Sequence, residues 1–318
     1  MNSRKFVLSV CLPLLVVYGC GGGASPTAPA KPIADPISAP PAIPAPPSSP
    51  IVADAVLAGA GDIARCNGVE TAATAALLDR IDGTVFTLGD TVYPNSTAST
   101  LAACYAPTWG RHKERTLATI GNHDYEVNRG EPYYAYFGAA AGPAGLGYYS
   151  TTVGAWQIIS LNSNIASGPG SAQYEWLRSE LASSNATCTL AMWHHPVFSS
   201  GVNGNSSQMR DAWRLLQQFG ADIILNGHDH AYERFAPQNA DGRADPRGIR
   251  EFVVGTGGVS LYDRVSSQPN SEVFENRTWG VLKLTLKSDR YAWEFVPIAG
   301  QSFTDSGTAS CVPGSGTP

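Results

Sequence analysis

The sequence predicts an α/β fold, because buried strands and helical patterns follow one another along the chain. Five short runs are apolar on both faces, as buried and often parallel strands are, and they cover residues 55–60, 84–88, 116–120, 189–193 and 223–225. Helical patterns separate some of these runs, over residues 71–81, 173–181 and 207–219. We therefore expect a sheet of buried strands with helices between them.

Antiparallel strands are expected beside these runs. Residues 147–161 predict two strands around a turn at Gly154. Residues 251–254, 281–286 and 291–296 alternate enough for antiparallel strands, and the segment 287–289 would turn the last pair.

The composition indicates a globular protein of low charge. Hydrophobic residues make up 43% of the 318 residues and charged residues 15%, so the chain can bury a core and is neither disordered nor a coiled coil. The formal net charge is −5 and no basic stripe is visible, which argues against nucleic acid as a partner. An acidic protein that acts on anions needs a local source of positive charge, such as a metal.

The first residues predict export. A basic start at Arg4 and Lys5 precedes an apolar run over residues 6–17 that is too short to span a bilayer comfortably. We therefore interpret residues 1–19 as a secretory signal. Localisation in the periplasm or at the cell surface of a bacterium, after passage across the inner membrane, is expected.

Cys20 follows the small residue Gly19, an arrangement that resembles the bacterial lipoprotein box. A lipid on Cys20 would anchor the protein to the membrane, whereas an ordinary cleaved signal is the alternative. Residues 20–51 are rich in Pro and Ala, so we expect a disordered tether there. The globular domain is then expected over residues 52–300, with a C-terminal tail over residues 301–318.

Four further cysteines remain, and an even number in an exported chain suggests two disulfides. Of the three possible pairings we favour Cys66 with Cys104 and Cys188 with Cys311, the second of which would pin the tail. Buried thiols or metal ligands are the alternative, although no pair has the Cys-x-x-Cys spacing of zinc clusters.

Each of the five predicted buried strands ends in a small polar or histidine-bearing signature. These are Gly61-Asp62, Gly89-Asp90, Gly121-Asn122-His123-Asp124, His194-His195-Pro196 and Asn226-Gly227-His228-Asp229-His230. Since ligands gather at the carboxyl ends of strands in open α/β sheets, we expect the five signatures to converge on one site. Five of the six histidines lie in three of them, which packing alone does not explain.

Side chains of this kind suit metal ions. Asp, Asn and His, with one possible Tyr, form a hard-to-borderline ligand set that favours iron, zinc or manganese. Two metals that share one carboxylate are the arrangement of two-metal hydrolases, and the number of ligands here supports two.

The order of the five signatures resembles that of the calcineurin-like metallophosphoesterases, from Val56 to about Arg234. It resembles the purple acid phosphatase branch more narrowly. Metallophosphoesterases at large have Asp-x-His in the first block, where this chain has Asp62-Ile63-Ala64. Purple acid phosphatases instead supply a tyrosine three residues after the bridging aspartate, here Tyr93. The resemblance implies a four-layer α/β/β/α sandwich with mixed sheets, in the small single-domain form.

The resemblance also implies the ligands of two metal ions. The first ion would be held by Asp62, Tyr93 and His230, the second by Asn122, His194 and His228, and Asp90 would bridge them. A phenol has a pKa of about 10, so its binding as phenolate needs a strong Lewis acid. Fe³⁺ is therefore expected at the Tyr93 position, and Fe²⁺, Zn²⁺ or Mn²⁺ at the other.

The same resemblance implies a phosphoric ester hydrolase. The leading hypothesis is a phosphomonoesterase of the acid phosphatase type, and its substrate would be a small phosphate ester. Two cations would hold the phosphoryl oxygens and provide hydroxide for in-line attack. His123 is expected to contact the phosphate, with Asp124 orienting it. The segment 197–208 contains no histidine, so His195 is the candidate acid for the leaving group.

Two alternatives stay open at this point. A phosphodiesterase or nucleotide pyrophosphatase could use the same residues, because the signatures define the chemistry and not the width of the substrate. The second alternative is a catalytically silent surface lipoprotein that binds a partner or phosphate. The oligomeric state is open as well.

Overall fold

The structure is a computed structural model, and it describes residues 54–312. The predicted signal over residues 1–19, the lipid on Cys20 and the tether over residues 20–51 lie outside the described residues and stay predictions. No helix within residues 54–312 has the length and the apolar character needed to cross a bilayer.

Thirteen strands are found in the described part of the chain. They are β1 Ala55–Ala60, β2 Thr84–Leu88, β3 Thr116–Thr119, β4 Tyr149–Val153, β5 Trp156–Ser160, β6 Cys188–Met192, β7 Ile223–Asn226, β8 Tyr232–Phe235, β9 Arg250–Val254, β10 Ser271–Glu275, β11 Gly280–Leu286, β12 Arg290–Pro297 and β13 Ser306–Ser310. The α-helices are α1 Val69–Leu78, α2 Ala98–Thr100, α3 Asn122–Tyr125, α4 Glu131–Phe137, α5 Ala172–Ser183 and α6 Arg210–Gln218. A π-helical turn lies at Leu101–Tyr105, and 3-10 helices lie at Trp109–Arg115, Asn128–Gly130 and Gly138–Ala141.

The strands form two mixed sheets. The first has six strands in the order β13-β12-β11-β1-β2-β3, in which β1, β2 and β3 are parallel and the other neighbours antiparallel. The second has seven strands in the order β10-β8-β9-β7-β6-β5-β4, in which β5, β6, β7 and β9 are parallel. The parallel strands thus form one side of the first sheet and the centre of the second, and they include the apolar runs that were predicted as buried strands.

Alternating side chains explain why the two sheets stack. Strands β5, β6 and β7 place Ile158, Leu190 and Leu225 in one apolar core together with residues of the first sheet and of α1. Their neighbours on the opposite face pack with helices α5 and α6 in a second core, and these are Ile159, Ala191 and Ile224. Because successive strand residues point to opposite faces, each central strand is buried on both sides. The predicted four-layer α/β/β/α arrangement is confirmed.

Local chemistry accounts for several element boundaries. Helix α5 begins where the Ser171 hydroxyl accepts a hydrogen bond from the Tyr174 amide at 3.3 Å, an N-cap that satisfies one orphan donor. Helix α6 is shorter than the predicted 207–219, and α1 begins two residues before the predicted 71–81. Frayed ends of this kind are what periodicity predicts least well.

Two expectations about the C-terminal third need correction. Strand β9 was expected in an antiparallel arrangement, but it pairs with β7 in parallel and with β8 in antiparallel fashion. The segment 301–318 was assigned to a tail, whereas its residues Ser306–Ser310 form β13 and extend the first sheet beside β12. Polar strand residues at a sheet edge leave little hydrophobic signal, which is why β13 was missed.

The favoured cysteine pairing is confirmed. Cys66 is joined to Cys104 and Cys188 to Cys311, with Cα–Cα distances of 4.6 and 5.6 Å. The second bond links the end of β13 to the start of β6, so it ties the outer edge of one sheet to the centre of the other.

The parallel strands of both sheets have their carboxyl ends at the same end of the molecule. The Gly61 amide after β1 donates to the carbonyl of Val254 at the end of β9 at 2.8 Å, and the Gly257 amide donates to the Gly61 carbonyl at 2.9 Å. These bonds join the first sheet to the second at one end of the molecule. The segments that follow β1, β2, β3, β6 and β7 therefore meet there.

Candidate metal centre

Three residues of the predicted site have left-handed backbone conformations. Asp62, Asp90 and His228 have φ values of 59°, 53° and 72°. Such values are uncommon for residues other than glycine and concentrate at functional sites, where the surrounding structure must hold them. Each residue follows a glycine directly after a strand, so the sharp turn directs the functional side chain into the space between the sheets.

Close packing explains one of these glycines. Gly89 itself has a φ of +86°, and an added Cβ there would lie 2.6 Å from Nδ1 of His194. Only a residue without a side chain fits between the β2 turn and this imidazole.

Tyr93 lies at the centre of a first group of ligands. Its hydroxyl oxygen is 2.7 Å from Oδ1 of Asp62, 2.8 Å from Oδ2 of Asp90 and 3.0 Å from Nε2 of His230. A phenol has one proton to donate, yet three acceptor atoms surround it. The spacing is that of ligand atoms around a shared cation.

The orientation of His230 supports this interpretation. Its Nδ1 lies 2.8 Å from the carbonyl oxygen of Ser260, so Nδ1–H donates there and the lone pair of Nε2 faces Tyr93 and Asp62. The ring of Tyr262 stacks on His230 with a centroid distance of 3.8 Å and an angle of 14°. These two contacts fix both the tautomer and the plane of the imidazole.

His194 orients a second group in the same way. Its Nδ1 is 2.7 Å from the Leu88 carbonyl oxygen, and its Nε2 is 3.0 Å from Oδ1 of Asn122 and 3.3 Å from Oδ2 of Asp90. The His228 ring lies 5.0 Å from the His194 ring between centroids. Asn122, His194 and His228, predicted to act together, are thus brought to one place.

Asp90 belongs to both groups. The same atom, Oδ2, is 2.8 Å from the Tyr93 hydroxyl and 3.3 Å from Nε2 of His194, while Oδ1 accepts a hydrogen bond from the His123 amide at 2.9 Å. One carboxylate oxygen that faces two sets of ligands has the position expected of a bridging ligand.

Electrostatics show that the centre favours positive charge. Burial would raise the pKa of Asp90, but the neighbouring His194 holds it below its usual range. Burial lowers the pKa of His194, yet the Asp90 carboxylate raises it by more, to about 9. For Tyr93, burial and then the Asp62 and Asp90 carboxylates raise the pKa above its ordinary value. A phenolate here therefore needs a cation strong enough to outweigh two carboxylates.

The donor set fits two metal ions. Carboxylate, phenol, amide and imidazole atoms converge, and the Nε2 atoms of His194 and His230 face oxygen atoms of Asp62, Asp90, Tyr93 and Asn122. These nitrogen–oxygen contacts of 3.0–3.4 Å are stabilising only when a metal ion or a proton lies between the two atoms. Asp62, Tyr93 and His230 could hold one ion and Asn122, His194 and His228 the other.

His123 lies beside the centre, but Asp124 does not orient it. The Nδ1 atom of His123 is 2.6 Å from the Pro94 carbonyl oxygen, and its side chain is 31% exposed. Asp124 is fully buried and accepts hydrogen bonds from the Thr91 and Gly121 amides at 3.0 and 2.9 Å and from the Ser96 hydroxyl. Burial, followed by the Asp90 charge, raises the pKa of Asp124 to about 6. Asp124 thus holds the loops that carry Asp90 and Asn122, and the Pro94 carbonyl orients His123.

His195 also reaches the second group. Its ring lies 4.4 Å from the His228 ring, and ligand atoms of His194, His195 and His228 lie within 4.8 Å of one another. Ser163 orients the His195 ring. The Oγ atom of Ser163 lies 2.8 Å from Nδ1 of His195 and accepts a hydrogen bond from the His195 amide at 3.1 Å. Burial and the neighbouring His194 lower the pKa of His195 to about 2.

Several supporting residues were not predicted. Asp229 lies between two candidate ligands and accepts hydrogen bonds from the Ser199 hydroxyl at 2.5 Å and the Asn203 amide at 2.9 Å. Ser163 follows the carboxyl end of β5, so the expectation that functional residues lie at the carboxyl ends of strands would have pointed to it as well. Tyr262 lies in a segment without regular structure, and nothing in the local sequence points to its stacking on His230.

Comparisons with known proteins agree with this geometry. The family described as calcineurin-like phosphoesterase matches residues 57–232, more than half of the chain. The chain belongs to the calcineurin-like phosphoesterase family. Within it, the chain is similar to purple acid phosphatases.

Two relatives and one solved structure illustrate the likeness. The chain is 32% identical over 169 residues to Purple acid phosphatase 15 of Arabidopsis thaliana, covering 47% of this chain and 32% of the relative. It is 27% identical over 223 residues to Fe(3+)-Zn(2+) purple acid phosphatase 12 of the same plant, covering 58% of this chain and 47% of the relative. A purple acid phosphatase from yellow lupin (Lupinus luteus) seeds shares the fold, with a TM-score of 0.69, 21% identity and coverage of 81% of this chain and 54% of that one. This chain thus spans about half or less of each of these proteins.

Addition of Zn²⁺ to chelator-treated protein should raise the melting temperature, because cations bind the native cluster and not the unfolded chain. At 100 times the dissociation constant the gain in free energy of unfolding is about 2.7 kcal/mol, which for a domain of this size corresponds to an increase of about 5–10 °C. Differential scanning fluorimetry measures it. The melting temperature of the variant Asp90→Asn should rise much less on addition of Zn²⁺. An equal rise in both proteins would contradict the assignment of Asp90 as a ligand.

Proposed function

We propose that the protein is a phosphoric ester hydrolase with two metal ions, and that phosphomonoesters are its main substrates. The observation that carries the proposal is the position of Asp90 Oδ2 between the Tyr93 group and the His194 group. The similarity of the chain to purple acid phosphatases supports it.

The residues present would hold the ions as the sequence predicted. Asp62, Tyr93 and His230 would bind Fe³⁺, Asn122, His194 and His228 would bind Fe²⁺, Zn²⁺ or Mn²⁺, and Asp90 would be shared. When bound, such a pair supplies Lewis acidity for the phosphoryl oxygens and activates water for in-line attack. An iron and zinc pair is named for one of the relatives.

His123 would hold the phosphoryl group. Its Nδ1–H is committed to the Pro94 carbonyl, so Nε2 is the free nitrogen, and the partly exposed ring faces the centre 3.8 Å from Oδ2 of Asp90. In the protonated form, His123 can donate from Nε2 to a phosphoryl oxygen while Nδ1 keeps its orienting contact. This arrangement positions the substrate without moving the imidazole.

His195 would donate a hydrogen bond to the leaving oxygen. Ser163 Oγ accepts the His195 amide proton, so its own hydroxyl proton is free to be donated to Nδ1 of the ring. The ring proton then resides on Nε2, and the ring lies 4.4 Å from that of His228. A neutral imidazole held in this tautomer donates a hydrogen bond but is a weak acid, so good leaving groups should be favoured.

Replacement of the shared carboxylate should abolish most of the activity. For Asp90→Asn we expect the kcat/KM for p-nitrophenyl phosphate to fall by more than about 100-fold, the upper range for residues that merely support a metal ligand. The exposed Asp241, which pairs with Arg214, supplies the matched control Asp241→Asn. Activity should also be lost on chelation and return with added metal.

The same assay separates the alternative functions. Faster hydrolysis of p-nitrophenyl phosphate than of its bis-ester supports the phosphomonoesterase, and the reverse order would establish a phosphodiesterase. No metal-dependent hydrolysis of either ester, or full activity in Asp90→Asn, would refute the proposed function.

Removal of His195 should affect poor leaving groups most. The variant His195→Ala is expected to lose about 10²-fold of its kcat/KM for an alkyl phosphate, the size of a lost hydrogen bond to charge that develops on the leaving oxygen, and much less for p-nitrophenyl phosphate. Steady-state kinetics on both esters measure the difference. An equal loss for both would mean that His195 acts through the metal ligands and not on the leaving oxygen.

A further inference from the structure

A cavity of about 770 Å³ lies beside the segment that follows the candidate ligand Asn122, and none of the roles above uses it. Its walls include the rings of two tyrosines, one aliphatic side chain, one amide and one residue of each charge, which are Tyr125, Tyr134, Ile165, Asn128, Arg129 and Glu131. A space of this size is typical of sites for small organic ligands.

The cavity is joined to the metal centre through short contacts. Tyr125 is the last residue of α3, one helical turn after the candidate ligand Asn122, and its amide donates to the Gly121 carbonyl at 3.0 Å. The Asn164 side chain donates to the same carbonyl at 3.4 Å, and its neighbour Ile165 lines the cavity. One turn of helix rises about 5.4 Å, so a group attached to a phosphate at the centre can reach this space.

Arg129 is held at the cavity by an unusual backbone. Asn128, Arg129 and Gly130 have successive φ values of 48°, 57° and 86°, all in the left-handed region. Non-glycine residues in this region concentrate at ligand sites and switch regions. The Arg129 guanidinium donates from Nε to the Tyr125 hydroxyl at 3.3 Å and forms no ion pair within residues 54–312. Its remaining N–H groups are free to donate to a ligand.

Charge and shape together define the occupant. Arg129 and Glu131 leave the cavity without net charge, so a second phosphate or carboxylate gains little there. Tyrosine rings offer flat apolar surface, and the guanidinium of an arginine both stacks on rings and donates to acceptor atoms. These features match an uncharged aromatic ring that carries hydrogen-bond acceptors.

We propose that this cavity binds the alcohol portion of the substrate, and that the preferred substrates are phosphate monoesters whose alcohol carries a flat aromatic ring with acceptor atoms. The inference rests on the proposed function, because it assigns the group attached to the phosphate. It makes Tyr125 and Arg129 determinants of specificity. The nucleosides are one chemical class with such a ring.

The test compares adenosine 5′-monophosphate with ribose 5-phosphate. Both esters have the same primary alcohol at the bond that breaks, so they differ in the ring and not in the leaving oxygen. Stacking of one base is worth a factor of about 10 to 100 in binding, and we expect the kcat/KM of the wild-type protein to favour the nucleotide by about that factor. In Arg129→Ala and Tyr125→Leu the ratio of the two kcat/KM values should fall towards one.

Arg290→Ala is the matched control. Arg290 is an exposed arginine at the start of β12. It pairs with Ser310 and precedes Tyr291, which pairs with Leu286, and Leu286 pairs with Ala55 at the start of β1. Arg290 therefore lies at the end of the first sheet opposite to Asp62. Its replacement should leave the ratio unchanged. A ratio near one in the wild-type protein, or a ratio that Arg129→Ala and Tyr125→Leu do not lower, would overturn the inference.

The experiments distinguish a wrong cavity assignment from a wrong proposed function. If p-nitrophenyl phosphate is hydrolysed in an Asp90-dependent manner while the ratio is one, the proposed function stands and the cavity assignment falls. If no ester is hydrolysed, the proposed function falls, and calorimetric binding of adenosine 5′-monophosphate decides the cavity. Binding that Arg129→Ala weakens about 10-fold supports the assignment, and absence of binding refutes it.

Discussion

The structure depends on the concentration of buried negative charge around Asp90. Its carboxylate is 1% exposed, the neighbouring Asp62 is fully buried, and Tyr93 lies within 2.8 Å of both. Burial of charge without a partner is costly in free energy. The Nε2 atoms of His194 and His230 face the same oxygens, so a proton or a metal ion must lie between them to compensate this charge. Cations at this point explain why the cluster exists and why the protein tolerates three left-handed residues to build it.

The fold supplies the rigidity that such a cluster needs. Parallel strands from two sheets end at the same place, and backbone hydrogen bonds such as Gly61 to Val254 join the sheets there. Carbonyl groups of Leu88 and Ser260 then orient His194 and His230. The buried carboxylate of Asp124 ties the β2 and β3 loops together from behind. Ligands on rigid elements with oriented supporting groups are preorganised for metal binding.

The sequence could predict that most of the candidate ligands meet, because five of them lie just after strands that it also predicts. The role of Tyr93 and the division of the ligands between two ions came only from the resemblance to purple acid phosphatases. Asp62, Asp90, Asn122, His194 and His228 follow apolar runs, so the topology of an α/β sheet places them together. Supporting contacts escape this rule, since they join residues far apart in the chain. The stacking of Tyr262 on His230, the Pro94 carbonyl beside His123 and the actual partners of Asp124 are of this kind. Strand β13 was missed because an edge strand of small polar residues carries no periodic apolar signal.

The central claim is that Tyr93 and Asp90 bind a pair of cations with iron on the tyrosine side. Metal analysis and a visible absorption spectrum of protein expressed with ample iron test it most directly. The account predicts two metal ions per chain, at least one of them iron, and a tyrosinate-to-iron absorption band that disappears in Tyr93→Phe. A fully loaded protein whose visible spectrum is the same in the wild type and in Tyr93→Phe, or one that retains fewer than two ions per chain, would contradict it.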